Sequence, residues 1–461
     1  MRVLLIHPPP LGKDSFQYDI VHPPLGIAYI ASCIRKEHDV KIIDANALRL
    51  NLNDLKKEVK DYRPDVVGLT STTAAIFNTF KVARMVKRID SRIRVFLGGV
   101  HATASPRHAM SEKSIDFLCI GEGEITSKEL LSSIASGEPP LSAIKGIAWR
   151  DGRKVVVNEP RGLLPDLDSL PMPAYDLLPM DRYTSIQASE GRIMTLVTSR
   201  GCPYECIFCD VQAVFGRRFR FHSPERVLEE IEYLMRNYGI TEFHFKDSEF
   251  TLDPKRVQKI CDLIVRKRLN IRWLCNGRVN HMSLELLKSM KKAGCKMITF
   301  GVESGDDRIL QVLKKAYTTD DVRKAFRLAK QAGIETTANM IIGCPGDTKE
   351  TIERTIRFAI EIDPNYASFN NLIPFPNTEL FRMAKRNRWL LPNYRLDRIK
   401  YDSCIMNATD IPLKELNSYL GKAYRRFYIR PRYIIKRLGK LRWHEIKTTI
   451  SGVKKIVGEF I

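Results

Sequence analysis

Short apolar runs rich in Val, Ile and Leu alternate along the chain with stretches in which apolar residues recur every three or four positions. That is the pattern of buried parallel strands covered by amphipathic helices. In the first third it predicts strands over Arg2 to His7, Val40 to Asp44, Asp65 to Ser71, Arg94 to Val100 and Asp116 to Gly121, with helices such as Leu25 to Glu37 and Ile76 to Arg88 between them. These βα units make a doubly wound, flavodoxin-like (Rossmann-like) α/β domain over residues 1–137. Residues 138–190 change character, with a hairpin around Asp151-Gly152 and then a proline-rich stretch from Pro160 to Pro179, and are read as an ordered linker. The alternation resumes over 191–385, with strands at Ile193 to Ser199, Glu242 to Lys246, Ile271 to Asn276, Lys296 to Val302, Glu335 to Ile342 and Tyr366 to Ile373. Strands and helices in that order predict a partial (βα)6 barrel, and residues 386–461 read as a basic, amphipathic helical tail.

Both folds bind ligands beyond the carboxyl ends of their strands. In the first domain those ends carry His7-Pro8-Pro9-Pro10, Ser71-Thr72-Thr73, Gly98-Gly99 and Gly121-Glu122-Gly123-Glu124. Small residues there let backbone approach a large ligand closely.

Composition narrows the class. A chain of 461 residues, 44% of them hydrophobic, is long enough for two to three globular domains. Ten cysteines, with no basic-then-apolar leader before the first strand, point to a reducing cytoplasm and not to a secreted disulfide framework. No apolar run reaches the roughly 18 residues that a spanning helix needs. The net charge of +22 calls for an anionic partner, either nucleic acid or an anionic lipid surface.

The sharpest chemistry follows the first barrel strand: Ser199-Arg200-Gly201-Cys202-Pro203-Tyr204-Glu205-Cys206-Ile207-Phe208-Cys209. Three thiolates on a short loop can hold an iron-sulfur cubane while leaving one iron without a protein ligand. This spacing, with Phe208 before the last cysteine, resembles the radical S-adenosylmethionine (SAM) superfamily over about residues 190–385. The resemblance implies a [4Fe-4S] cluster held by Cys202, Cys206 and Cys209. It also implies SAM chelated to the open iron, an electron donor such as flavodoxin or ferredoxin, and a 5′-deoxyadenosyl radical that abstracts hydrogen from unactivated carbon. Strand by strand, it marks Asp247 and Glu249 for the SAM amino group, although the usual Gly-Gly-Glu is replaced here by Lys246-Asp247-Ser248-Glu249-Phe250. The competing reading of that segment is an acidic N-cap before Asp253-Pro254. It marks Arg278 for the SAM carboxylate, Glu303 for the ribose or methionyl group, and Gly343-Cys344-Pro345 for the adenine edge. Most other cysteines sit among apolar neighbours as small hydrophobes. Cys344, at a strand end, is the candidate second hydrogen donor.

A doubly wound domain before such a barrel resembles the cobalamin-binding class of this superfamily, which includes anaerobic Mg-protoporphyrin cyclases and lipid-modifying methyltransferases. The resemblance implies cobalamin held around Ser71, Thr72, Gly98, Gly99, His101, Gly121 and Glu122. The Asp-x-His-x-x-Gly motif that supplies histidine to cobalt elsewhere is missing, and His7 and His101 are weak substitutes for it.

From Lys422 to Ile461 there are twelve Lys or Arg against two Glu, with Ile446, Ile450, Val453, Val457 and Phe460 on one helical face and Tyr428, Tyr433 and Trp443 as interfacial aromatics. Such a helix suits the anionic inner face of a membrane, although packing on the barrel is the usual fate of an apolar stripe. The expected activity is therefore modification of a hydrophobic, lipid-like or tetrapyrrole substrate. Cobalamin-dependent methyl transfer leads, with radical cyclisation or C–C coupling sharing every motif. An RNA-modifying methylthiotransferase would need three more cluster cysteines in the first domain, where only Cys33 and Cys119 occur, so nucleic acid is not the expected partner. A cobalamin sensor would leave the three-cysteine loop unexplained.

Overall fold

The computed structural model describes residues 1–9, 21–185, 192–392, 394–396, 399 and 403–438, the side chains of Arg437 and Leu438 excepted. Pro10 of the first loop and Trp443, Ile446, Ile450, Val453, Val457 and Phe460 of the tail lie outside those residues. The chain divides into two compact units: Met1–Pro203 with Asp210–Phe243, and Tyr204–Cys209 with His244 onward. Neither expected boundary, at 137 or at 190, is a point of division.

The first unit is built on strands β1 (Arg2–His7), β2 (Asp39–Asp44), β3 (Val66–Thr70), β4 (Arg94–Gly98), β5 (Phe117–Cys119), β6 (Ile147–Asp151) and β7 (Lys154–Val157). Their order is β2-β1-β3-β4-β5-β6-β7, parallel as far as β5 and antiparallel beyond it. Val3, Leu4, Leu5 and Ile6 are fully buried because helices cover both faces. The order 2-1-3-4-5 puts a switch point between β1 and β3, where a ligand crevice forms. The hairpin assigned to the linker is β6–β7, which extends this sheet instead. Its pairing partner β5 is distant in sequence, so local periodicity could not show it. The proline-rich segment also belongs here: Ala174 N donates to Ala28 O, and the buried Tyr175 and Tyr183 hydroxyls donate to Glu230 and Asp44.

After the short strands β8 (Met194–Leu196), β9 (Ser199–Arg200) and β10 (Arg220–Phe221), a second sheet runs through β11 (Glu242–Phe245), β12 (Arg272–Gly277), β13 (Cys295–Glu303), β14 (Glu335–Ile342) and β15 (Tyr366–Asn371). Its order is β15-β14-β13-β12-β11-β8, the sequential order of an open (βα)6 barrel, and the chain passes between units within β11. Along β14, Thr336, Ala338, Met340 and Ile342 are buried while alternate residues are only half-buried. Phe300 on β13 packs at 5.3 Å against Phe326 of the helix Thr319–Gln331, so the fully buried face is the helix-covered one. Each such side chain contributes roughly 1.5–3 kcal/mol. Capping boxes at Thr318 and Thr348 and the Asp253 cap before Pro254 start the covering helices. Asp253 therefore supplies the N-cap, and Asp247 and Glu249 lie upstream of it.

The tail begins with the helix Leu413–Tyr428, which lies on β15: Tyr424 Oη and Tyr428 Oη each bond both the N–H and the C=O of Phe369 and Ala367, respectively. Tyr433 Oη donates to Asn365 O. Tyr428 and Tyr433, expected as interfacial aromatics, instead close the exposed edge of the last strand.

Candidate functional site

In the second unit, Ile207 fixes the cysteine loop. Its N–H donates to Leu313 O at 3.3 Å, its carbonyl accepts from Leu380 N at 2.8 Å, and its side chain is buried with Leu313, Cys344, Leu372 and Leu380. Cys206 and Cys209 close a turn through Cys209 N to Cys206 O at 3.1 Å. All three loop thiols are half-buried and none is in a disulfide. Among the described residues no three metal-ligating side chains stand together as a ready set. The fit to an iron-sulfur cluster rests on donor chemistry: three partly accessible thiols within eight residues, none of them in a disulfide.

Around that loop the carboxyl ends of β11, β12 and β13 bring several charges out of water. Arg278 is 7% exposed, with its guanidinium carbon 3.4 Å from the Tyr204 ring centroid and 4.9 Å from that of Tyr317. Its Nε and Nη2 are buried without a hydrogen-bond partner. A buried guanidinium held only by ring faces is incomplete, and a carboxylate would complete it. Arg278 thus fits the SAM carboxylate. Thr251 Oγ1 accepts from Arg278 N and donates to Glu249 at 2.6 Å, tying the two loops together. Burial pushes the Glu249 carboxyl up to about 7, against the Thr251 bonds and the Arg278 and Lys315 charges. Asp247 is fully buried beside it, its carbonyl accepting from Asn276 Nδ2.

Glu303 ends β13 at φ +64, a left-handed conformation costly for a non-glycine residue, where the pairing with β14 shifts register. A Cβ at Gly301 would stand 2.4 Å from Glu303 Oε1, so glycine there makes room for the carboxylate. Lys315 Nζ donates to that oxygen at 2.9 Å and lies 5.6 Å over Phe208 and 5.4 Å over Tyr317. Burial disfavours the Lys315 charge, yet Glu303 outweighs it and holds the ammonium above its ordinary range. Lys315, Tyr204 and Tyr317 were not among the expected site residues. In a chain with 75 Lys and Arg, one lysine carries no signal of its own.

Gly343 turns at φ +83, and its N–H and that of Cys344 donate to Asp347 Oδ2 at 3.1 and 2.8 Å. Pro345 is buried in the same turn. The Cys344 thiol is fully buried in the cluster with Ile207, Ile309 and Leu313, and burial raises its pKa well above that of an ordinary thiol. The sulfur packs in an apolar cluster.

In the first unit, Ser71, Thr72, Gly98, Gly99 and Gly121 lie together at the carboxyl ends of the central strands. Gly99 has φ +90, and a Cβ there would meet Thr70 Oγ1 at 2.8 Å and Ser71 O at 2.9 Å. His101 is fully buried, its Nε2 2.9 Å from His108 Nδ1 and its Nδ1 3.3 Å from Thr73 Oγ1. Burial, then the neighbouring His108, push its pKa down to about 4. With both ring nitrogens engaged, His101 props the Thr73 and His108 loops and is not a free imidazole for cobalt. His7 Nδ1 bonds Asp44 Oδ1 at 2.8 Å. The Glu122 carboxylate is fully occupied by Arg200, Arg220 and Leu164 N, so only its backbone remains for a ligand.

Two α/β units, with Cys202 in the first and Cys206 and Cys209 in the second, follow the plan of a cobalamin-binding radical SAM enzyme. The radical SAM superfamily profile matches residues 196–359, and the B12 binding domain profile matches residues 17–131. A methyltransferase of Pyrococcus horikoshii, itself uncharacterized, is 39% identical over 99% of this chain and 98% of its own. An anaerobic magnesium-protoporphyrin IX monomethyl ester cyclase of Cereibacter sphaeroides is 30% identical over 93% and 71%. The fold matches that of the radical SAM methyltransferase TsrM from Kitasatospora setae, with a TM-score of 0.74 at 18% identity over 94% of this chain and 89% of that one. The chain belongs to the cobalamin-dependent radical SAM methyltransferase family. Its cofactors are a [4Fe-4S] cluster, SAM and cobalamin.

Proposed function

We propose that the protein transfers a methyl group to an unactivated carbon of a hydrophobic substrate, lipid-like or tetrapyrrole, with Cys202, Cys206 and Cys209 as the cluster ligands. The observation that carries the site assignment is Arg278, a buried guanidinium between two aromatic rings with unmatched N–H groups. When bound, the cofactors supply reductive cleavage of SAM to a 5′-deoxyadenosyl radical and a transferable methyl group.

This chain's residues bind and orient. Arg278 would hold the SAM carboxylate through its unmatched N–H groups, and Asp247 and Glu249 would hold the ammonium. Glu303, steadied by Lys315, accepts from a ribose hydroxyl. The Gly343–Pro345 turn, pinned by Asp347, would hold the adenine edge. Tyr204, Tyr317 and Phe208 would keep water away from bound SAM. In the first unit, Ser71, Thr72, Gly98, Gly99, Gly121 and the Glu122 backbone line the cobalamin site, with His101 supporting it from behind. The electron comes from a flavodoxin- or ferredoxin-type donor. A hydrophobic substrate is supported by the cyclase relative, named for a tetrapyrrole ester, and by the apolar residues exposed on the tail. Peripheral contact with an anionic membrane surface on the cytoplasmic side fits the same picture.

The test is product analysis after anaerobic reconstitution with cobalamin and a reductant. Methyl transfer predicts 5′-deoxyadenosine and S-adenosylhomocysteine together. Deoxyadenosine without S-adenosylhomocysteine would point to the cyclase-type reaction instead.

A further inference from the structure

Arg200 stands two residues before Cys202, on β9, paired with Arg220 of β10 in antiparallel register. Both arginines turn their guanidiniums onto the Gly121–Glu124 loop that ends β5. Arg200 Nη1 donates to Glu122 Oε1 at 3.0 Å and Nη2 to Glu124 Oε1 at 2.6 Å. Arg220 Nη1 donates to both Glu122 oxygens at 2.8 Å. The side chains are at most 7% exposed, and Arg200 also lies 5.4 Å over the Tyr29 ring. Two cations and two carboxylates cancel, so no net charge is buried. Even so, such a quartet gives less stability than apolar packing of the same volume would. What it provides is a fixed geometry. The residue between it and Cys202 is equally constrained: Gly201 has φ +85, a Cβ there would stand 2.2 Å from Arg218 O, and Cys202 N donates to Gly216 O at 3.3 Å.

We propose that the Glu122–Glu124–Arg200–Arg220 quartet positions Cys202 as a cluster ligand, with Glu124 and Arg200 as positioning residues. The inference rests on the ligand assignment above. Arg200 cannot swing without stripping the buried Glu124 carboxylate of its donor and Glu122 of one of its two arginines, so the peptide feeding Cys202 is held before any iron arrives. Buried partners of this kind tune ligand geometry and metal retention without touching the metal.

The experiment compares wild type, Glu124→Gln, Arg200→Lys and the control Cys202→Ala, all as full chains reconstituted anaerobically with iron and sulfide. Iron loss to a chelator, the electron paramagnetic resonance spectrum of the reduced cluster and the melting temperature are measured. In the iron-free proteins, the alkylation rates of Cys202, Cys206 and Cys209 are read by peptide mass spectrometry. The expected result for Glu124→Gln is iron loss faster by roughly tenfold, an altered spectrum, and faster alkylation of Cys202 alone, with cooperative melting and cobalamin binding kept. Arg200→Lys, retaining the charge without the fork, falls between it and wild type. Iron retention and Cys202 reactivity unchanged in both variants would overturn the proposal. So would loss of folding in both, which would make the quartet a folding element only. If Cys202→Ala itself kept a normal cluster, the ligand assignment would be what failed.

Discussion

Arg278 pairs a buried charge with no hydrogen-bonding counterpart for two of its nitrogens, and that imbalance has a measurable sign. Arg278→Met keeps the stacking volume between Tyr204 and Tyr317 and removes the unmatched groups. The iron-free protein should therefore melt no lower than wild type, while SAM affinity falls by about ten- to hundredfold. Calorimetry of SAM binding beside thermal melts checks both halves, and a large loss of stability with SAM affinity intact would contradict the role. Glu249 makes the complementary case, since burial lifts its carboxyl to about 7 from an ordinary value of 4.5. Below that ordinary value both folded and unfolded chains hold the proton, and its contribution to stability is full. As pH rises towards 7 the unfolded chain releases its proton first, so the contribution is lost. Glu249→Gln has no proton to release. Between pH 5 and pH 8 the iron-free variant should gain on wild type by on the order of 3 kcal/mol, and a gap independent of pH in urea titrations would refute the shift. These residues were legible only in part. Arg278 and Glu303 stood out because charges at strand ends are conspicuous, but that Arg278 lacks hydrogen-bond partners, and that Lys315 neutralises Glu303, depend on contacts between separate loops.

At the scale of elements, most strands fell where the apolar pattern put them. Arg2–His7 and Glu335–Ile342 kept their predicted bounds, and β13 grew by one residue at each end. Strand formation follows local periodicity, so the sequence carries it. What it did not carry was pairing: β6 and β7 joined a sheet through β5, and the proline-rich segment was built into the first unit by Tyr175 and Tyr183. The tail shows the same limit. Its first helix spends its tyrosines on β15, and Lys422 and Arg426 pair with Glu353. The helix Pro431–Leu438 still exposes Ile434 at 43% and Ile435 at 71%, just after Ile429 at 50%, beside Arg432 and Lys436. That surface predicts flotation with phosphatidylglycerol vesicles, release by salt, and weaker binding for Ile435→Asp. Equal recovery with uncharged phosphatidylcholine vesicles would contradict an electrostatic membrane contact.

For the whole molecule, the net charge of +22 is carried by cations other than those buried in ion pairs. Arg200, Arg220 and Lys315 are buried against carboxylates. Among the described residues no helix is long and apolar enough to cross a membrane. The cofactor plan was the most legible feature, because three cysteines with spacings of three and two residues, and glycines at strand ends, are local signals. The quartet joining the Gly121–Glu124 loop to the approach of Cys202 was not, since its carboxylates lie 76 to 98 residues from the arginines they bond.

The central claim is that this chain uses a cluster on Cys202, Cys206 and Cys209 to cleave SAM beside a cobalamin domain. The most direct test is one anaerobic preparation of wild type and Cys206→Ala, analysed for bound iron, corrinoid and SAM-derived products. The account predicts about four irons per wild-type chain, bound cobalamin, and both 5′-deoxyadenosine and S-adenosylhomocysteine. In the variant, iron and deoxyadenosine should be lost while cobalamin stays. A variant that kept its cluster and went on releasing deoxyadenosine would contradict it.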